Sequence, residues 1–275
     1  MNRSIQFKGI TVKYSDCGKG RALVLLHGYL LTGEVWQPLT EILSEIFRVI
    51  SIDIPGHGGS GVAGDTHTME FIAETVHAVI TDTGEKKVLL AGHSMGGYAA
   101  LAFAERHPEM LAGYVLFHSH PYADAPEAVS KRKREIEVVK AGKKDIMYPA
   151  NISMMFAERN LKTMAAAVVR SRKLASVNPA EGIIALLNGM IVRPLRTSVI
   201  EDGKVPLLWI LGRWDRYFSP EKAMRDIKIP ANAQVVILEN SGHLGFIEET
   251  ERSAELIRAF ADSLDWKPVN DKTKE

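Results

Sequence analysis

The chain has 275 residues, 46% apolar and 24% charged, enough for one large core but short for two full domains. A formal charge of +1 gives no reason to expect nucleic acid or an anionic membrane as partner, and no stretch approaches the ~18 consecutive apolar residues of a membrane span. The single cysteine, Cys17, excludes an internal disulfide, and MNRSIQFKG lacks an apolar leader run, so the expectation is a cytoplasmic protein acting on a small molecule.

Residues 5–7 and 10–14 read as two edge strands, closed by a hairpin turn over 16–20 that holds Cys17. Residues 22–26 are an unbroken apolar run, as in a strand buried on both faces, and end in His27-Gly28-Tyr29. Apolar residues at 35, 36, 39, 42, 43 and 46 have helical spacing. Strand 47–54 follows, then a glycine turn at 55–61, and then a helix with Phe71, Ile72, Val76, Val79 and Ile80 on one face. Residues 87–104 read as a strand, a cramped turn and an alanine-rich helix that Pro108 stops; 114–117 is a further buried strand. Between 121 and 203 the patterns are helical only. Strand 207–211, a helix near 220–227, strand 234–238, a helix over 246–264 and a polar tail at 267–275 complete the chain. Such alternation predicts an α/β fold: a mostly parallel sheet covered on both faces. Its core is expected over 1–120 and 204–266, with 121–203 a helical lid inserted above the sheet's C-terminal edge.

Chemistry concentrates at Gly92-His93-Ser94-Met95-Gly96, a G-x-S-x-G sequence between a buried strand and a helix. In that context the serine sits at a strained corner with its hydroxyl exposed, and glycine on either side avoids collision where the chain reverses. A serine hydroxyl needs a base to take its proton, and the base needs an acid to fix its tautomer. Asp215 and His243 each follow a strand, and the order Ser94, Asp215, His243 suits a triad built on an open parallel sheet. Asp124 and Asp202 are rival acids; Asp124 is the better placed of the two.

On His27-Gly28, Asp53-Ile54-Pro55-Gly56-His57-Gly58-Gly59-Ser60, Gly92–Gly97, Asp215 and Gly242-His243, the chain resembles the α/β-hydrolase superfamily from residue 5 to about 264. The resemblance implies an eight-stranded sheet and an oxyanion hole made by the backbone amides of Tyr29 and Met95. It also makes Gly56–Gly61 a structural turn. That stretch matches G-x-G-x-x-G, but no helix opens after it to receive a pyrophosphate, so no nucleotide cofactor is expected.

His118 and His120 lie just past a strand end and are expected to contact substrate; no third ligand is placed for a metal, and none is expected. Tyr122, Met154, Met155 and Phe156 would add an adaptable apolar lining from the lid. The basic stretch Lys131, Arg132, Lys133, Arg134, Lys140, Lys143 and Lys144 reads as a solvated helix face rather than a carboxylate or phosphate patch. The expected activity is hydrolysis of a carboxylic ester of small or medium size through an acyl-enzyme. The alternatives are carbon–carbon cleavage, or other non-ester chemistry, on the same triad, and a ligand-binding protein that keeps the triad without turnover.

Overall fold

The computed structural model describes residues 1–222 and 227–266. Eight strands form one sheet: β1 (Asn2–Phe7), β2 (Ile10–Gly18), β3 (Arg21–Leu26), β4 (Phe47–Ile52), β5 (Val88–His93), β6 (Leu111–Phe117), β7 (Leu207–Gly212) and β8 (Ala233–Leu238). Their order is β1-β2-β4-β3-β5-β6-β7-β8. Only the pairs β1/β2 and β2/β4 are antiparallel; the other five run parallel. The fully apolar runs occupy the middle, where β3, β5, β6 and β7 are buried almost throughout, while β1 and β8 at the two ends are only partly covered.

Helices flank this sheet. α1 (Gln37–Leu43) packs against the last described helix, Thr250–Ser263, and α2 (Met69–Asp82) packs against α3 (Met95–Arg106). Thr68 caps α2 by accepting the Phe71 amide. Alanine and glycine over the first turns of α3 let it lie deep in the molecule, with Met95 to Ala104 all buried. Between β6 and β7 the described structure is helical: α4 (Pro126–Lys140), α5 (Lys144–Met155), α6 (Ala165–Ser176), α7 (Ala180–Ile191) and α8 (Thr197–Glu201). α4 packs on α7, and α5 packs on α6. Among the described residues no single helix is long and apolar enough to cross a membrane.

Three expectations change in detail. β2 continues through Cys17, which pairs with Val49 of β4, so the cysteine lies in a strand and not in the turn. A salt bridge explains the extension: Asp16 is held by Arg48 across the same strand pair, at 2.8 Å. The helical spacing over 35–46 resolves into a 3-10 turn (Gly33–Trp36) followed by α1, with Pro38 in the first turn of α1. The helix expected over 246–264 breaks at Glu249 into Gly245–Glu248 and Thr250–Ser263. Of the helix near 220–227, residues 223–226 lie outside the described residues, as does the tail 267–275.

Candidate active site

Ser94 stands between β5 and α3 with φ 51° and ψ −113°, a left-handed backbone that a residue with a side chain seldom adopts. Its neighbours force this corner. A Cβ on Gly92 would sit 2.3 Å from the Gly96 carbonyl oxygen, and one on Gly96 would sit 2.4 Å from that of Leu26. The Ser94 amide donates to Phe117 at 2.9 Å, and the Ser119 hydroxyl donates to the Ser94 carbonyl at 2.7 Å. Backbone bonds therefore pin the corner from the adjoining strand end and leave the hydroxyl free.

Asp215 and His243 arrive from the ends of β7 and β8. His243 Nδ1 donates to Asp215 Oδ2 at 2.7 Å, which commits that nitrogen to the acid and leaves Nε2 as the ring's outer nitrogen. Asp215 Oδ1 accepts the Tyr217 amide at 2.7 Å and the Phe218 amide at 3.3 Å. Burial acts to raise the Asp215 carboxyl, but His243 and His118 outweigh it and hold the group well below the usual carboxylate range. The rivals are engaged elsewhere: Asp124 is clamped by Arg132 and Arg193, and Asp202 lies at the surface beside Lys204.

The loop carrying His243 is braced by groups that sequence reasoning missed. Glu248 accepts the amides of Gly242 and Ala157, both at 2.8 Å; Glu249 accepts the Asn240 amide and the Ser241 hydroxyl. His93, inside the serine motif, donates from Nε2 to the His243 carbonyl at 2.8 Å and so ties the base loop to the corner. Burial, with His243 and His118 close by, holds the His93 imidazole well below its ordinary value and therefore neutral.

Opposite the corner, the turn Gly28–Leu31 presents Tyr29. His57 Nε2 accepts the Leu30 amide at 3.0 Å, and the Leu31 amide donates to Gly28 at 3.2 Å. Leu30 is thereby held at φ 65°. Among the described residues the amides of Tyr29 and Met95 donate to no other group, which suits a pair of oxyanion donors. The glycine turn after β4 serves this loop. Asp53 accepts the amides of Gly33 and Gly59, and the Ser60 hydroxyl donates back to Asp53.

Ser94, His243, Tyr29, His118, His120 and Met155 border one cavity of about 210 Å³. No hydrogen bond joins the Ser94 hydroxyl to His243 among the described residues, although both face that space. Such contacts commonly tighten only when substrate is bound. His118 borders the cavity with both nitrogens turned toward protein: Nε2 accepts the Gly245 amide at 3.0 Å, and Nδ1 lies 3.6 Å from Asp215 Oδ2. His120 accepts the Tyr122 amide at Nδ1, so its Nε2 donates to the Tyr98 hydroxyl at 3.1 Å. Tyr122 packs against the His120 and Phe218 rings just outside the cavity wall. Met154 is surface-exposed and Phe156 is buried in the core; neither borders the cavity. Their neighbour Met155 does, and its carbonyl accepts the His243 amide.

Sequence reasoning did not pick out Tyr98, Glu135, Tyr217 or Phe218 as cavity residues, and it sent Lys131 and Arg132 to solvent. One signal was available: 128, 131, 132 and 135 have the i, i+3, i+4, i+7 spacing of a single helix face. Among the described residues no group of three or more His, Cys, Asp or Glu side chains is disposed to hold a metal ion.

Residues 21–250 match the family model described as the alpha/beta hydrolase fold, and the chain belongs to that family. It is a hydrolase by fold and by kinship. It is 27% identical over 260 residues to the (E)-2-((N-methylformamido)methylene)succinate hydrolase of Acinetobacter baylyi, covering 92% of this chain and 95% of that one. A pimeloyl-[acyl-carrier protein] methyl ester esterase of Stenotrophomonas maltophilia is also 27% identical, over 90% of this chain and 95% of the relative. Among solved structures, a thermophilic esterase from Thermogutta terrifontis superposes with a TM-score of 0.89 at 30% identity, covering 95% of this chain and 98% of that one.

Proposed function

We propose that this protein is a serine hydrolase that cleaves a carboxylic ester of a small or medium-sized substrate through an acyl-enzyme. The observation that carries the reading is the 2.7 Å bond from His243 to Asp215, which turns the free imidazole nitrogen toward the cavity that Ser94 also borders. In the proposed reaction His243 takes the Ser94 proton as the oxygen attacks the ester carbonyl. The amides of Tyr29 and Met95 receive the oxyanion, and the imidazolium protonates the departing alcohol. Water, deprotonated by His243, then attacks the acyl-serine; collapse of that intermediate releases the acid and restores the serine hydroxyl. The helices between β6 and β7 act as the lid, and a cavity of about 210 Å³, below the usual 300–1,000 Å³ of a drug-sized site, suits the smaller end of that range of substrates.

Relatives named as a methyl ester esterase and a thermophilic esterase support the ester assignment. The single thiol, Cys17, supports a reducing compartment. The test is turnover of a p-nitrophenyl ester: Ser94→Ala is expected to abolish it while the circular dichroism spectrum is kept. Unchanged turnover in Ser94→Ala would refute the assignment.

A further inference from the structure

The face of α4 turned to the cavity carries Lys131, Arg132 and Glu135. Arg132 spends its Nε and Nη2 on Asp124, at 2.5 and 3.3 Å, and its Nη1 has no partner among the described residues. Asp124 is shared, since Arg193 reaches its Oδ1 at 2.7 Å and stacks 4.0 Å over the Tyr98 ring. Lys131, Arg132 and Arg193, with Lys222 5.0 Å over the Tyr122 ring, thus outnumber the carboxylates Asp124 and Glu135. Of these carboxylates Glu135 has no ion pair among the described residues; burial pushes its carboxyl upward against the pull of Lys131 and Arg132. His120 feels the same excess: after burial itself, Arg193, Lys222 and Arg132 are what hold its imidazole well below the ordinary value.

Two hydroxyls complete the set. Because His120 Nε2 donates to the Tyr98 oxygen, the Tyr98 proton is free for another acceptor. The Tyr29 hydroxyl is buried with no hydrogen-bond partner, and the charges that act on it include Glu135 and Arg132, both at the cavity wall. A buried donor left unsatisfied is destabilising, so an acceptor brought by the ligand would recover that loss. A neutral alkyl ester would leave the spare guanidinium nitrogen and both hydroxyls unmatched.

We infer that the ester this cavity selects carries a second, free carboxylate, received by Arg132 and Lys131 with the hydroxyls of Tyr98 and Tyr29. The inference rests on the serine-hydrolase reading above and deepens it from esters in general to half-esters of dicarboxylic acids, or esters of hydroxy acids. A planar guanidinium with one edge occupied can still offer a directed, charge-assisted bond to a carboxylate oxygen. Glu135, whose carboxyl feels the charges of both Lys131 and Arg132, competes for them with an incoming anion, which makes it a brake on anion binding.

The test is pH-stat hydrolysis of two matched pairs: monomethyl glutarate against methyl pentanoate, and acetoxyacetate against ethyl acetate. The first pair places the carboxylate on the acyl side and the second on the alcohol side. In the unaltered protein kcat/KM is expected to favour the anionic ester of at least one pair by about tenfold, the effect of one charged hydrogen bond. Arg132→Gln, which leaves Asp124 paired with Arg193, should lower that ratio mainly through KM. Lys131→Met, at an exposed position, should lower it as well, and Glu135→Gln should raise it several-fold. Opposite signs from neighbouring positions on one helix would not come from loosened packing. Faster turnover of the neutral ester in both pairs, or a ratio that none of the three substitutions moves, would overturn the inference while leaving the hydrolase reading intact. No hydrolysis of any of the four esters would sink both.

Discussion

Two histidines face one carboxylate oxygen: Nδ1 of His243 bonds Asp215 Oδ2 at 2.7 Å, and Nδ1 of His118 stands 3.6 Å from it without a hydrogen bond. The amide of Gly245 occupies His118 Nε2, so the proton of His118 is on Nδ1 and faces the acid. Asp215→Asn is expected to lower kcat by about 10³–10⁴, because the amide no longer selects the His243 tautomer that leaves Nε2 free. His118→Phe should lower kcat by about tenfold, the effect of roughly 1.4 kcal/mol on the barrier, with KM little changed. His118→Asn, whose amide keeps a polar N–H facing the carboxylate, should recover part of that loss. Equal kcat in the Phe and Asn variants would show that His118 only fills space. At this scale the sequence singled out Ser94, Asp215 and His243 because each follows a strand and the serine carries its glycines with it, and the structure bonds His243 to Asp215 beside the cavity that Ser94 borders. It disclosed the role of His118 poorly: a histidine past a strand end looks the same whether it faces substrate or the acid behind the base.

Loops and helix faces decide whether those residues meet. The break at Glu249 frees two successive glutamates to hold the segment Asn240–His243, which a continuous helix over 246–264 would not have done. Glu248→Gln should therefore lower kcat about tenfold or more, with the Tm reduced by only a few degrees, because the loss falls on placement of His243. An unchanged kcat would show that the loop holds itself. Apolar periodicity predicted the helices but not this interruption, since Glu248 and Glu249 resemble any solvent-facing pair until their acceptors are known. α4 shows the same limit from the other side. Ile136 and Val139 mark its buried side, but the run of charges over 131–135 hides the cavity face, which the structure separates into Lys133 and Arg134 in water and Arg132 at the cavity.

For the whole molecule, strand–helix alternation was enough to predict a parallel sheet, but not its order, in which β4 lies between β2 and β3. The buried histidines give the molecule a pH signature. His27, His57, His67, His93, His118 and His120 are all depressed by burial, His57 to about 3. In the unfolded chain each titrates near ~6.5, so below that value the unfolded state binds more protons and stability falls as the pH drops. The Tm should decline steeply between about pH 7 and pH 5, a range in which ordinary carboxylates contribute little. A flat Tm across that range would contradict the neutral, buried state of these six side chains. The lowered carboxyls of Asp16 and Asp215 add losses only further down, as pH falls from about 3.9 through their folded values.

Intact-mass spectrometry after rapid acid quench of an activated ester reaction tests the central claim most directly. The account predicts a transient mass increase equal to one acyl group, mapped to the peptide containing Ser94 and absent from Ser94→Ala. Turnover with no adduct, or with the acyl group on another residue, would contradict it.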